Sequence, residues 1–394
     1  MNDPHELDEL IAAIAVNARE RAGRTERDRR VPAETVAELR DAGFFGLLRP
    51  RAHGGREADF GELVRHVLTL SAACPSTGWV CGLFAAHQWL LAGFGRQAQD
   101  EVWKDDPDAL ICGSYAPTGI ARSDDDGGYR ISGGWSFSSG SDHATWAVCA
   151  SFLPTEQGVR GAPAFFLVPA SDFTVRDDWH VAGLAGTGSK TLELEDVHVP
   201  AHRTLLLSDI TAGTTPGAAL YPANPGYGVP MLCHIPSCLA AVAVGAAAGA
   251  LEDFQLMAGT RRTRGALAGA GSRIAGFATV QLRVAEAAAS VDAARDLLLR
   301  DLGLRLATVR GGTAVSVEER LLSRRGQAFA VALAVRAVEA VNGATGGQGL
   351  SLDNPIQRAW RDTSAVSRHI SLNWDAVGTM IGQSALGLDP QGQY

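Results

Sequence analysis

The chain has 394 residues, 46% of them hydrophobic and 20% charged: enough length for two or three domains and enough apolar material for a sizeable core. Its formal net charge of -8 argues against a general nucleic-acid surface. Residues 1–10 carry Asp3, Glu6, Asp8 and Glu9 where a secretory leader needs a basic start and an apolar run, which points to the cytoplasm. The most apolar stretch, 238–251, is too short to cross a bilayer and reads as a buried helix. The six cysteines, Cys74, Cys81, Cys112, Cys149, Cys233 and Cys238, form no CxxC pair and have no histidine cluster beside them. No metal is therefore expected, and small buried thiols in a reducing compartment are.

Residues 1–106 read as helical. Leu7, Leu10, Ile11 and Ile14 recur at helical spacing. Pro32, then Val36 and Leu39, then Gly43 predict a helix with a start and a stop. Asp59 and Glu62 predict a capping box ahead of Leu63, Val67 and Leu70. Residues 107–207 change character: 129–132, 146–150, 164–168 and 191–194 read as short strands, with turn signals such as 126–128 between them. Such a pattern predicts a β-barrel or sandwich. Residues 208–394 return to helix, over 236–260, 272–309 and 315–342, followed by a glycine-rich loop at 343–349 and a further helix over 355–378. Their sparse charge pattern predicts a bundle that packs against other subunits. The fold class is thus α+β, with a helical domain, a β domain and a helical bundle in that order.

Several motifs fail on inspection. Gly183, Gly186, Gly188, Ser189, Lys190 and Thr191 approximate a phosphate loop, but Ser189 stands where lysine should, and a strand follows where a helix N-terminus is needed. No GxGxxG lies between a strand and a helix, so the chain is not expected to use NAD(P)H itself. HExxH and GxSxG are absent.

The order of segments, with residues 42–50 (AGFFGLLRP) and Gly54–Gly55, 183–189 (GLAGTGS), 194–200 (LEDVHVP), 346–349 (GGQG) and then Arg361 and Asp362, resembles the acyl-CoA dehydrogenase superfamily along nearly the whole chain. The dehydrogenases carry a catalytic carboxylate about two helical turns after the Arg-Asp pair; here that place holds Arg368, His369 and Ile370. Residues 135–140 (WSFSSG) with Asp142 and His143, 114–119 (SYAPTG) and 369–375 (HISLNWD) are instead similar to the two-component aromatic hydroxylases, which act on 4-hydroxyphenylacetate, secosteroid phenols and aromatic polyketides. The resemblance implies reduced FMN or FAD delivered by a separate NAD(P)H:flavin reductase, O₂ as co-substrate, a C4a-hydroperoxide, and hydroxylation of a phenolic ring beside its hydroxyl. It also implies a homotetramer, with no nucleic acid or membrane as partner. An N- or S-oxygenase on the same scaffold is the main alternative; an acyl-CoA dehydrogenase and a non-catalytic helical assembly protein are the others.

The candidate site residues follow. His87 lies in an apolar stretch, 80–91, as either a satisfied core histidine or, by the resemblance, a wall of the substrate pocket. Trp79 and Trp89 suit either stacking on a flat substrate or core packing. The resemblance sets the strand of Trp135, Ser138 and Ser139 against the flavin N5 edge, with one of the two serines in direct contact. Ser114 is placed on a loop facing the flavin ring, for cofactor or substrate contact, with turn hydrogen bonding as the alternative. Of Arg261, Arg262 and Arg264, by default a solvated helix end, Arg264 is the candidate for a neighbouring subunit's flavin, and a guanidinium suits its phosphate. Gly346, Gly347 and Gly349 either end a helix or bring their amides to a neighbour's flavin tail. His369 is the candidate general base: an imidazole of pKa about 6.5 can accept the proton of a phenol of pKa about 10. Asn373 and Asp375 read as structural.

Overall fold

A computed structural model of the chain describes residues 4–125, 127–155, 160–263 and 271–394. The first layer holds α1 (Pro4–Asp28), α2 (Ala33–Asp41), α3 (Phe60–Ala73), α4 (Pro75–Ala92) and α5 (Arg96–Asp105). Pro32 starts α2, and Gly43, at φ 75°, turns the chain out of it, as expected. The capping box expected at α3 does not form. Asp59 is the N-cap residue but makes no side-chain cap; its carboxylate takes Arg310 at 3.0 Å instead. Helix α4 is buried at every position from Pro75 to Ala92, so it has no polar face. It carries both Trp79 and His87 through the centre of the molecule.

The β domain is a single seven-stranded sheet of β1 (Ile111–Ser123), β2 (Tyr129–Ser138), β3 (Trp146–Phe152), β4 (Pro163–Pro169), β5 (Thr174–Arg176), β6 (Lys190–Val199) and β7 (Thr204–Leu206). The strands run in the order β5-β6-β2-β1-β3-β4-β7. Only β1 and β3 pair in parallel, and their register shifts between Ser114 and Gly119. That shift lets a strand pass through Pro117, which lacks the N–H a regular ladder requires. Gly119 is needed for another reason: a Cβ there would stand 2.0 Å from the ring of Trp135, which fills the sheet's underside.

The last layer holds α6 (Leu207–Ala212), α7 (Met231–Thr260), α8 (Ala278–Arg310), α9 (Val317–Asn342), α10 (Pro355–Val366) and α11 (Trp374–Ala385). Helix α7 is long and apolar enough to span a membrane, but it is buried inside the protein. It begins before Pro236, not at it. Proline cannot supply the N–H that the carbonyl of Leu232 would receive in a helix, and the side-chain amide of Gln327 on α9 donates there instead, at 3.0 Å. The helix expected over 355–378 is two helices. After Val366 the carbonyl of His369 accepts from the N–H groups of both Leu372 and Asn373, making a turn, and Asn373 then caps α11 through Ala376 N–H at 3.0 Å. His369 therefore sits on a turn between α10 and α11. One contiguous core, from Leu7 through Trp135 to Phe254, joins all three layers.

Candidate active site

Within the fully buried α4, each polar side-chain atom must find a partner inside the protein. The Trp79 indole N–H donates to Ser139 Oγ at 2.9 Å. Ser139 Oγ lies 2.7 Å from Ser189 Oγ, and Ser189 Oγ lies 2.6 Å from Thr187 Oγ1, which donates to Leu184 C=O at 2.8 Å. Each hydroxyl has one proton, so the direction is fixed: Trp79 to Ser139 to Ser189 to Thr187 to the carbonyl. The N–H of Leu184 donates to Asp362 Oδ1 at 2.6 Å. That enclosed carboxyl is pushed up to about 6 by burial. Ser138, by contrast, turns its hydroxyl back onto Trp135 C=O of its own strand at 3.0 Å. Of the two serines, Ser139 is the one joined to Trp79 and Ser189.

His369 packs against the other side of Trp79, with ring centroids 5.8 Å apart and an edge-on interplanar angle of 65°. Its Nδ1 accepts the Ser371 backbone N–H at 3.2 Å. Burial, and next the cation of Arg324, hold its pKa down at about 4, so the ring is neutral at physiological pH. A neutral imidazole whose Nδ1 accepts carries its proton on Nε2. With Nδ1 occupied in this way, the nitrogen of His369 left for a ligand is Nε2.

His87 stands about 12 Å further along α4, at 1.5 Å per residue. Its Nδ1 meets Ile111 C=O at 2.5 Å, and a carbonyl can only accept, so Nδ1 bears the proton and Nε2 the lone pair. That Nε2 is buried without a hydrogen-bond partner, and burial holds the imidazole down at about 4. The ring of Tyr115 lies 5.9 Å away, and its hydroxyl is also buried and unpartnered, with burial pushing the phenol up. One unmet acceptor and one unmet donor thus belong to neighbouring rings. Ser114 lies within β1, not on a loop. It pairs with Cys149 and, as the strand neighbour of Tyr115, faces the other side of the sheet.

Trp135 is fully buried and its indole N–H donates to Ala150 C=O at 2.7 Å, so its side chain is a strut beneath the sheet. The aromatic residue bared on this strand is Phe137, in the left-handed region at φ 63°, 70% exposed and edge-on to Trp179 at 5.7 Å. Arg264 lies outside the described residues. Its neighbour Arg261 donates to Thr345 C=O and lies against Gly346, which is at φ 63°. Gly346 and Gly347 are exposed beyond the C-terminus of α9. From Arg324, which touches the His369 turn, α9 runs about 27 Å to its end. Within one chain these glycines are therefore apart from His369 and Ser139. A polar groove of about 1140 Å³ along β5 and β6 also lies elsewhere, with Arg176 paired to Asp178 and Glu193, and Arg203 to Glu101. Tyr115, Thr187, Ser371 and Arg324 were not anticipated. Tyr115, Thr187 and Ser371 lie in the family-like stretches 114–119, 183–189 and 369–375; Arg324 carried no local signal.

Residues 5–105 and 237–374 match the N-terminal and C-terminal domains of acyl-CoA dehydrogenase. The chain is 56% identical to the oxygenase component of the FADH(2)-dependent resorcinol hydroxylase of Rhizobium sp. (strain MTP-10005), over 98% of this chain and 95% of that one. Its structure superposes on 3-HSA hydroxylase from Rhodococcus sp. RHA1 with a TM-score of 0.92 and 35% identity, covering 99% and 98% of the two chains. It superposes on XiaF from Streptomyces sp., in complex with FADH2 and glycerol, with a TM-score of 0.89 and 28% identity, covering 99% and 97%. The chain belongs to the acyl-CoA dehydrogenase family, in its branch of flavin-dependent monooxygenase oxygenase components.

Proposed function

We propose that the protein hydroxylates a small phenol of the resorcinol type beside a ring hydroxyl, using O₂ and a reduced flavin, FAD or FMN, supplied by a separate NAD(P)H:flavin reductase. The residues fit a flavin. Phe137 and Trp179 bare flat aromatic surface beside Ser139, whose hydroxyl is held in a buried chain of donors. When bound, reduced flavin and O₂ supply an electrophilic oxygen atom, the other oxygen leaving as water. The protein's own residues position the phenol and handle its proton.

One observation carries this reading: the unpartnered lone pair of His87 Nε2 and the unpartnered hydroxyl of Tyr115, on neighbouring rings. A phenolic hydroxyl satisfies both, donating to His87 and accepting from Tyr115, and removes two orphaned polar groups at once. As the phenol yields its proton, the anion beside the imidazole raises that ring's proton affinity. His87 is then the base. His369 donates from Nε2 to an oxygen near Trp79 and Ser139, the place where negative charge is best met by a fixed donor. A 56% identical relative that is a resorcinol hydroxylase supports a small, hydroxylated ring as substrate.

A homotetramer in the cytoplasm completes the proposal. Leu350, Leu352, Ile370 and Leu386 are exposed apolar side chains on the last helical layer, and a second subunit could bring Gly346 and Gly347 toward a flavin. All six cysteines are free and buried, which suits a reducing compartment. The test is product analysis with resorcinol-type phenols, a flavin reductase, NADH and O₂. Hydroxylated product that depends on the reductase and on His87 is expected. Peroxide alone with every phenol offered would sink the proposal.

A further inference from the structure

Arg324 is a buried cation without an anion. Its residue is 3% exposed, and no carboxylate lies within ion-pairing distance of it among the described residues. Burial lowers its pKa to about 10, so it remains charged. It is also kept from water by an apolar cover. Leu321 and Ala328, on the same face of α9, pack with Val377 and Met380 of α11 and with Tyr394. A guanidinium held this way carries a desolvation penalty, and an apolar side chain of similar size would pack there without it. A purely structural role therefore accounts poorly for arginine.

What the guanidinium does is satisfy three acceptors. Nη2 donates to Ser371 C=O at 2.7 Å, Nη1 to Gln327 Oε1 at 2.8 Å and Nε to Gln393 C=O at 3.2 Å. Two of these contacts lead into the site. Gln327 is the residue that supplies the donor missing at Pro236 in α7. Ser371 is the residue whose N–H fixes His369 Nδ1. The two groups of Ser371 belong to successive peptide planes, so holding its carbonyl restricts the orientation of its N–H. The turn's own backbone bonds, to the carbonyls of Thr363, Ala365, Val366 and His369, position the chain, and Trp79 packs on the ring, but neither selects the tautomer of the imidazole.

We propose that Arg324 is a positioning residue for hydroxylation: by clamping Ser371 it fixes the tautomer of His369, so that Nε2 presents a proton to the reacting oxygen. This inference rests on His369 acting as a donor, as argued above. Arg324 also places a positive charge near the imidazole. That charge disfavours imidazolium and favours an oxyanion. Lysine would keep the charge but, as a compact ammonium, would not span Ser371, Gln327 and Gln393 in one plane.

The tautomer is read directly from ring ¹⁵N shifts of histidine-labelled protein, with the His369 signals assigned by their loss in His369→Asn. The wild type is expected to show protonated Nε2 and bare Nδ1. Arg324→Met is expected to mix the two tautomers, and to lower product formed per reduced flavin consumed on the order of 10–100-fold, the scale of a misplaced catalytic group. Arg324→Lys should fall between the two. In the double variant with His369→Ala the losses should not add, because the second residue acts through the first. A wild-type tautomer and wild-type coupling in folded Arg324→Met would overturn the inference while leaving His369 as donor intact. So would fully additive losses. If Arg324→Met does not fold, the same readings on Arg324→Lys decide. A wild-type ring protonated at Nδ1 would overturn the donor reading itself, and the inference with it.

Discussion

The indole N–H of Trp79 donates to Ser139 Oγ at 2.9 Å, so the residue that walls one side of His369 also orients the hydroxyl at the end of β2. Ser139→Ala should leave the Trp79 donor unmet in the core, at a cost of about 1–3 kcal/mol. It should also divert reduced flavin to H₂O₂. Ser138→Ala removes only a bond within its own strand and should leave coupling unchanged. Thermal unfolding and the ratio of product to peroxide in both variants check this. Equal coupling losses in the two would refute the assignment of Ser139.

The two histidines carry opposite tautomers, and this predicts opposite responses to substrate acidity. His87→Ala lacks the acceptor for the phenolic proton and should lose roughly 10²–10⁴-fold in the chemical step. Ring-fluorinated phenols, already ionised near neutral pH, should restore much of that rate. His369→Ala lacks a donor, a loss of roughly 10²–10³-fold for a fixed oxyanion contact, and substrate acidity should not rescue it. Single-turnover rates against phenol pKa separate the roles. Rescue of His369→Ala and not His87→Ala would reverse them.

The three-part order of the chain, most helices and four of the strands are legible because periodicity and turn residues write them locally. Strand β1 is not, because Gly113, Pro117 and Gly119 read as breaks, whereas the register shift between Ser114 and Gly119 absorbs them. The gap between α10 and α11 contains neither glycine nor proline, and only Asn373 before Trp374 signals a new start. His87, His369 and Ser139 are findable as residues, but the tautomers are not. Those are set by Ile111 C=O and Ser371 N–H, backbone groups whose positions exist only after folding. Arg324 is invisible for the same reason: its burial comes from α11 and Tyr394 closing over α9.

The exposed apolar surface of the last layer predicts assembly. Leu350 is 84% exposed, Leu386 79% and Ile370 78%, large apolar side chains bared at separate places on the last layer. Sedimentation velocity at micromolar concentration should give four copies, in keeping with closed symmetric assembly. Leu386→Glu with Ile370→Glu should shift the distribution to smaller species, and with it weaken flavin retention if Gly346 and Gly347 serve a neighbour. A monomeric wild type would refute the assembly.

Four buried imidazoles should make the fold acid-sensitive. Burial holds His66, His87 and His369 down at about 4 and His234 down at about 3, against an ordinary value of 6.5. For a group whose pKa is lower in the folded than in the unfolded chain, the unfolded state binds more protons between the two values. The stabilisation is then complete above about 6.5 and is lost as pH falls toward 4. At pH 5 the two fully enclosed rings, His87 and His234, each forfeit on the order of 2 kcal/mol. Asp362 acts in the opposite sense: raised to about 6 from 3.8, it favours folding at low pH and loses that contribution as pH rises toward 6. Glu62, Asp253 and Asp301 are likewise raised by burial, and His53 and His143 lowered by it, so six imidazoles stand against four carboxyls, and stability should rise with pH from 4.5 to 7. Urea midpoints across that range check the sign. His234→Phe preserves the stack on Phe60, whose ring lies 4.3 Å away at 10°, and removes one titrating ring. It should flatten the acid limb, whereas an unchanged limb would show that His234 is already protonated in the native state or does not titrate in this range.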